Sequence, residues 1–396
     1  MFESVPLFRE LAKVMSWTSG PVNWELAGQT AAALSGTGMA EISSGQAPAA
    51  SEDDLVQAVH AVELWLDQVT ALPAVQGPVR KLSRAEWVTQ ACSSSGLGVY
   101  VEPVAKGMGD SLARQLGDVG IAGIEATGSP IADAMNAMGA MLYGVQVGTV
   151  AGHLAGQLLG TYDLGFPTLD PRMVATVGGN AEAFAHDYGF DATEFRYWLL
   201  LREAAHRRQF AGVPWLQPHV ASLISAFAQG ADFDPNRLLE QLGGLGFDPN
   251  DPESIQQALE QPDAFRVEPT AQQRVVLDKL QALVAFTGSW VDHVVRAAGG
   301  DKLSSLPRIE EVMSRRRAEK GPGEKFMEQL IGLDLKPADH RLGQRFCEAV
   351  VEARGQEGLD RAWQRAEWLP KRSELDEPSH WLVRLAGAES GLPDPE

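Results

Sequence analysis

Five consecutive residues carry the clearest candidate chemistry in the sequence, Arg202-Glu203-Ala204-Ala205-His206. In a helix, positions 202 and 206 lie one turn apart on the same face. Two histidines at that spacing, with a glutamate directly after the first, can bind zinc while the glutamate activates a water molecule. Here the first position is Arg202, a permanent cation that cannot coordinate zinc. By itself the pattern is weak, because most helices with such a run expose it to solvent.

The stretch around these residues is predicted to form one long helix. Asp191 and Glu194 fit a capping box at its start, and no glycine or proline interrupts residues 194–210. Aromatic residues precede position 202 at helical spacing, so Arg202 and His206 continue an apolar face. Both side chains are therefore expected to be buried or half-buried. A buried guanidinium needs a carboxylate partner, either from the neighbouring glutamate or from elsewhere in the fold.

A second predicted helix is marked by its glycines. From Ala134 to Tyr162 there is no Asp, Glu, Lys or Arg, a length that could cross a bilayer. Glycine recurs at every fourth position of this segment, at Gly144, Gly148, Gly152, Gly156 and Gly160. Such a stripe lets another helix approach closely. Because Gln146, His153 and Gln157 are costly in lipid, the segment is predicted to be a buried helix of a water-soluble protein.

Most of the remaining sequence is typical of helices, with one short predicted strand at Arg172–Val177. We therefore predict a mainly α fold with a small β-sheet, in the α+β class. The length of 396 residues favours several regions. We expect an N-terminal helical region at 1–165 that ends in the glycine-striped helix, a core at 166–300 that carries the candidate helix, and a C-terminal helical region at 301–396.

Composition narrows the classes of function. With 33 Lys and Arg against 52 Asp and Glu, the formal net charge is −19, which disfavours nucleic acid and anionic membrane surfaces as partners. Cys92 and Cys347 are too few for a disulfide scaffold or a cysteine-based zinc site. The glycine-rich segment near 107–120 lacks the lysine pattern of a phosphate-binding loop. The N-terminal sequence lacks the pattern of a secretory signal, so a cytoplasmic protein is expected.

Four stretches of the sequence carry a family resemblance. The first reads YGVQVGTVAGHLAGQLLGTYDLGFP from Tyr143 to Pro167, and the second reads FRYWLLLREAAHRRQFAGVPWL from Phe195 to Leu216. The third runs from Gln329 to Trp363, and the fourth from Glu367 to Trp381. Together they resemble a bacterial family of zincin-like metallopeptidases that are described as proposed hydrolases. Some of its members are described as associated with the biosynthesis of a deazaflavin coenzyme.

The resemblance implies a zincin-like metalloprotease fold with extra helices, and it assigns roles to the candidate residues. Members of the family read His-Glu-x-x-His in the second stretch. Arg202 then replaces the first metal ligand, Glu203 is a vestige of the general base, and His206 keeps the second ligand position without zinc.

The resemblance further implies that the third ligand is missing. Family members carry a Leu-Glu-Gly-His-Gly element on a downstream helix, which is similar to the stretch from Leu283 to Val295. When Gly288 and Val291 are aligned with it, its acidic position becomes Ala285 and its histidine becomes Thr287. At most one of the three protein ligands that a catalytic zinc normally needs is then left.

Two functions stay open at this point. In the first, the protein has lost zinc and peptidase activity, needs no cofactor, and acts as a scaffold or binding protein for an unknown protein or peptide. In the alternative, it is an active metallohydrolase in which His206 and Glu203 act with zinc and non-standard ligands. The candidates for those further ligands are His153, His186, Asp187 and His293.

Overall fold

The structure, a computed structural model, describes residues 20–36, 50–118, 130–229, 270–319, 326, 328 and 337–390. Within these ranges the chain is mainly helical, with one small parallel sheet. The predicted mainly α architecture with a small β-sheet is therefore confirmed. Among the helices in these ranges, none combines the length and the apolar character that spanning a bilayer requires.

The α-helices and strands follow one another in this order: α1 (Trp24–Ser35), α2 (Glu52–Leu66), β1 (Val79–Leu82), α3 (Arg84–Ala91), α4 (Gly98–Asp118), α5 (Pro130–Ala155), β2 (Val174–Val177), α6 (Gly178–Asp187), α7 (Ala192–Phe210), α8 (Leu216–Gln229), α9 (Ala271–Gly299), α10 (Leu306–Ala318), α11 (Pro337–Asp360), α12 (Arg372–Asp376) and α13 (Pro378–Glu389). Two short 3₁₀ helices, Arg361–Trp363 and Ala366–Trp368, connect α11 to α12.

The sheet consists of β1 and β2 in parallel, with Val79 opposite Val174 and Leu82 opposite Val177. All four residues of β2 are buried, and β2 is the C-terminal part of the predicted strand. β1 was not predicted, because four residues with two basic side chains in the middle give no clear alternation. The sheet holds the turn between α5 and β2 in place, since Gly160 forms an antiparallel bridge with the second strand.

The N-terminus of α7 is capped as its sequence predicts, although the capping box does not close. The Asp191 side chain accepts hydrogen bonds from the backbone N–H groups of Thr193 and Glu194, both at 2.9 Å. The Glu194 carboxylate instead accepts hydrogen bonds from the Ser304 hydroxyl and the Ser305 backbone N–H, each at 2.7 Å. This contact fixes the start of α10 beside α7.

α7 is the central helix of the fold, and it packs against α2, α9 and the sheet. Its attachment to α2 depends on two buried arginines. Arg208 donates to Glu63 at 2.5 Å, to Asp67 at 2.6 Å and to the backbone carbonyl of Leu72 at 2.8 Å. Arg207 donates to the other oxygen of Glu63 at 2.6 Å. Charge-assisted bonds of this kind are stronger than neutral ones, so they define the orientation of α7.

The glycines of α5 pack against α1. A Cβ atom on Gly148 would lie 2.5 Å from the carbonyl oxygen of Ala27, and one on Gly152 would lie 2.7 Å from Cβ of Leu34. A Cβ on Gly144 would lie 2.6 Å from the carbonyl oxygen of Asn23, the N-cap of α1. The predicted close approach of another helix is therefore confirmed for these three positions.

The spacing of the glycines predicted one helix that continues to Tyr162, and this prediction is wrong. α5 ends at Ala155, so Gly156 and Gly160 lie beyond it. A Cβ on Gly156 would meet only the local backbone, whereas one on Gly160 would lie 2.6 Å from the Glu203 carboxylate. The last glycine of the series therefore belongs to the candidate site.

We predict that Gly152→Leu destabilises the protein by roughly 1–3 kcal/mol or more, because the new side chain overpacks the contact between α5 and α1. The measurement is the free energy of unfolding from denaturant melts. The matched control is Gly139→Leu on the same helix, where the glycine is exposed and an added Cβ has no neighbour within 4 Å. Equal stabilities of the two variants would show that the α5–α1 contact tolerates a large side chain.

Candidate functional site

Charged and titratable side chains from five elements meet at the middle of α7. They come from α7 itself, the turn between α5 and β2, α9, the last turn of α10, and α11. We use the term charge cluster for the following residues: Asp163, Arg202, Glu203, His206, Asp292, Arg316, Arg317 and His340.

Glu203 joins α7 to the turn before β2. Its fully buried carboxyl accepts hydrogen bonds from the backbone N–H groups of Thr161 at 2.8 Å and Tyr162 at 3.2 Å. Gly160 is required for this approach, because any Cβ there would overlap the carboxyl group. Burial raises the pKa of Glu203 to about 8, although Arg202 and the Tyr162 N–H act against this shift. The carboxyl group is therefore mostly protonated at neutral pH.

His206 lies one turn further along α7 and is fully buried. Its ring stacks on Tyr162, with 5.3 Å between ring centroids and 10° between ring planes. Burial, and then the positive charge of Arg202, hold the pKa of His206 well below its usual value, so the imidazole is neutral. No group in the described ranges makes a hydrogen bond of normal geometry with either ring nitrogen, although Gln209 is close enough to oppose the shift weakly.

Arg202 is paired with an acid from outside α7, the second of the two possibilities that the sequence left open. The residue is only 8% exposed, and its Nη1 lies 3.6 Å from Oδ1 of Asp163. The other oxygen of Asp163 lies 3.2 Å from Nη2 of Arg316 and accepts a hydrogen bond from the backbone N–H of Leu159 at 3.1 Å. One carboxylate therefore lies between two guanidinium groups.

A second carboxylate, Asp292 on α9, completes the cluster. It lies 3.0 Å from Nη2 of Arg317 and 2.9 Å from Nε2 of His340. Burial alone would raise the pKa of Asp292, but Arg317, His340 and Arg202 together hold it well below its usual range. Asp292 is thus an ionised carboxylate whose positive partners come from α10 and α11.

The residues aligned with the third ligand lie beside α7 but offer no metal-binding side chain. Ala285 and Thr287 are both buried on α9. The backbone carbonyl of Thr287 accepts a hydrogen bond from Gln209 at 3.1 Å, whereas its hydroxyl donates to the carbonyl of Val284 in its own helix. α9 therefore contacts the helix of His206 through its backbone.

The four alternative ligands do not gather around the buried ring of His206. His153 is bound to its own helix through the carbonyl of Thr149, and the exposed His186 pairs with its neighbour Asp187. The charged and hydrogen-bonding groups that act on His293 belong to α9 and α11. Within the described part of the chain, no three His, Cys, Asp or Glu side chains are arranged to bind a metal ion.

Sequence reasoning missed five members of the cluster. Asp163 lies within the first stretch of the resemblance, and Arg316 and Arg317 belong to three consecutive arginines, residues 315–317, which are too few to indicate a site. Asp292 and His340 also lie within stretches compared with the family, but neither gave a signal of its own, because a lone acid and a lone histidine on helices are usually surface residues. Their roles depend on contacts between helices that are distant in sequence.

We predict that Asp163→Asn destabilises the protein by about 3–5 kcal/mol, because it removes the carboxylate between two largely buried guanidinium groups. In contrast, Arg202→Met is expected to cost no more than about 1 kcal/mol, because Asp163 keeps Arg316 and the Leu159 N–H as partners. Denaturant melts of both variants measure the difference. A larger loss for Arg202→Met than for Asp163→Asn would contradict this assignment.

We further predict a pH dependence that belongs to Glu203. Since its pKa rises from 4.5 to about 8 on folding, the folded state holds a proton that the unfolded chain releases. This contribution to stability is complete below pH 4.5 and is lost as the pH rises to about 8. Glu203→Gln should therefore gain stability relative to the native protein by about 1.4 kcal/mol per pH unit across that window. The free energies of unfolding of both proteins are measured by urea melts between pH 5 and 8. A constant difference between Glu203→Gln and the native protein over this range would show that Glu203 does not take up this proton.

Comparison with known proteins adds to this geometry. The fold resembles a solved structure from Chloroflexus aurantiacus that is described as a proposed hydrolase with a novel fold, with a TM-score of 0.60 and 24% sequence identity over 92% of this chain and 99% of the other. Comparison with curated proteins gives no significant match. The family model for zincin-like metallopeptidases matches residues 22–382, and this chain therefore belongs to the zincin-like metallopeptidase family.

Proposed function

We propose that this chain is a zincin-like protein without zinc or peptidase activity, which acts as a binding protein or scaffold for a protein or peptide. One observation carries the proposal. A guanidinium, that of Arg202, lies at the first ligand position of the motif, and the carboxylate of Asp163 pairs with it. Two further arginines of the charge cluster, Arg316 and Arg317, pair with Asp163 and Asp292, so both of these carboxylates have guanidinium partners.

The donor set does not fit a catalytic zinc ion. Three protein ligands are normally needed, and the motif supplies one imidazole, that of His206. The adjacent guanidinium of Arg202 cannot coordinate and repels a divalent cation. Asp163 and Asp292 are paired with arginines, so either carboxylate would have to leave a charged partner before it could bind a metal ion.

The environment of Glu203 supports the same conclusion. A general base in a metallopeptidase must take a proton from water, so its carboxylate has to be ionised and reach that water. Here both carboxyl oxygens accept N–H groups of the turn at Thr161 and Tyr162. Burial raises the pKa to about 8, which keeps the group mostly protonated. Glu203 therefore acts as a link between α7 and the turn.

The side of the cluster that reaches solvent supports a role in binding. The side chains of Arg316, Arg317 and His340 are 17%, 23% and 20% exposed. A metallopeptidase binds its peptide beside its metal ligands, so the equivalent place in this chain can hold a peptide without cleaving it. The suggested association with deazaflavin coenzyme biosynthesis stays a prediction.

The alternative is a metallohydrolase that uses His206 and Glu203 with non-standard ligands. The ring nitrogens of His206 favour it, because they have no hydrogen-bond partner of normal geometry within the described ranges and a neutral imidazole is a good zinc ligand. Against it, the positive charge of Arg202 acts on this ring, and the same guanidinium pairs with Asp163 of the turn. The two functions differ in zinc content and in hydrolysis, which can be measured directly.

We predict that the protein purified without added metal contains zinc well below one equivalent and does not hydrolyse peptides. Arg202→His restores the two-histidine motif but not the third ligand, so we expect weak zinc affinity and no useful hydrolysis. Elemental analysis and zinc titration provide the measurements, and Arg202→Gln is the matched variant without a ligand. Stoichiometric zinc or robust peptide hydrolysis by the native protein would refute the proposed function in favour of the metallohydrolase.

A further inference from the structure

The charge cluster has more positive than negative charge. Three guanidinium groups, those of Arg202, Arg316 and Arg317, face the carboxylates of Asp163 and Asp292. The Glu203 carboxyl group accepts backbone N–H groups of the turn and pairs with none of these guanidinium groups. With the histidines left aside, one guanidinium therefore has no carboxylate of its own within the cluster. A buried excess charge is costly, so its compensation needs an explanation.

Several donors of the cluster also lack an acceptor among the residues that the structure describes. Nε and Nη1 of Arg202 and Nη1 of Arg316 are buried without a hydrogen-bond partner in the described ranges. The separation of 3.6 Å between Arg202 and Asp163 is an ion pair beyond hydrogen-bond length. A charged donor that is buried without an acceptor costs more than a neutral one, and a bound ion is one of the explanations for such a group.

The cluster has an inner and an outer side. His206 and Glu203 are fully buried at its inner side. The side chains of Arg316, Arg317 and His340 keep about a fifth of their surface in contact with solvent, at 17–23%. A ligand can therefore approach from the side of α10, and the largely buried guanidinium of Arg202 lies deeper.

We propose that the charge cluster binds the C-terminal carboxylate of a peptide, through the guanidinium groups of Arg202 and Arg316. Planar guanidinium groups pair well with carboxylate oxygens, and the bonds are charge-assisted. A single negative charge matches the single excess positive charge, whereas a phosphate dianion would leave a buried negative charge. This assignment rests on the proposed function, because the peptide must be bound and released intact.

The first test compares a peptide acid with its amide. N-acetyl-Ala-Ala-Ala with a free carboxylate is titrated against the native protein at constant ionic strength, next to the same peptide with a C-terminal amide. Acetate and inorganic phosphate are titrated in parallel. We expect saturable binding of the peptide acid, and binding at least about tenfold weaker for the amide, because charged hydrogen bonds are lost.

Three arginine variants locate the site. Arg202→Met and Arg316→Met should each weaken binding of the peptide acid by about tenfold or more. Arg315→Met is the matched control on α10, because Arg315 is 74% exposed and pairs with Glu311 on its own helix. It should bind the peptide acid as the native protein does.

A measurement on the native protein covers the case in which a variant does not fold. Phenylglyoxal modifies accessible arginines, and mass spectrometry shows which ones react. The peptide acid should slow the modification of Arg316 and Arg317, and the amide should not. Modification of Arg315 should be unchanged by either peptide.

Distinct results would overturn the assignment. Equal affinities of the native protein for the peptide acid and the amide would exclude a carboxylate site. So would native affinity for the peptide acid in both Arg202→Met and Arg316→Met. Tighter binding of phosphate would show that the ligand class is wrong, and acetate binding as tight as the peptide acid would exclude recognition of a peptide terminus. Cleavage of the peptide in the same samples would refute the proposed function. The affinities for the peptide acid and the amide would then still decide whether the cluster binds a carboxylate.

Discussion

The rest of the structure depends on the burial of α7 on all of its sides. From Trp198 to Phe210 every residue of this helix is buried, including three arginines, a glutamate, a histidine and a glutamine. Charges in such a position must find partners inside the protein, since water cannot reach them. The partners of Arg207 and Arg208 fix α2, and the partners of Glu203 fix the turn before β2. The charge pattern of one helix thus determines which elements surround it.

The same requirement explains why α10 lies where it does. Its N-terminus is held by Glu194 at the start of α7, and its last turn brings Arg316 and Arg317 to the two carboxylates of the charge cluster. The helix therefore spans the distance between the first turn of α7 and its middle. Because each of its ends is bound to a charged group, a shift of α10 would separate several ion pairs at once.

The sequence predicted those features that depend on local spacing. The start of α7 at Asp191, the burial of Arg202 and the close approach at Gly148 follow from capping, helical periodicity and the absence of a side chain. The partner of Arg202 could not be predicted, because Asp163 lies 39 positions away and only the fold of the turn brings it near. β1 was missed because it forms only through its pairing with β2. The division into three regions stays a prediction.

A guanidinium and a metal ion can meet one structural need in different ways, since each places positive charge among carboxylates in the protein interior. A metal ion demands a fixed number of ligands at short distances, so the loss of one ligand weakens the whole site. Arginine brings its charge on a covalent tether and tolerates pairs such as the 3.6 Å contact with Asp163. Under the proposed function, Arg202 therefore preserves the packing around α7 without zinc. The same freedom leaves hydrogen-bond donors unused in the charge cluster, and those donors make a carboxylate ligand chemically reasonable.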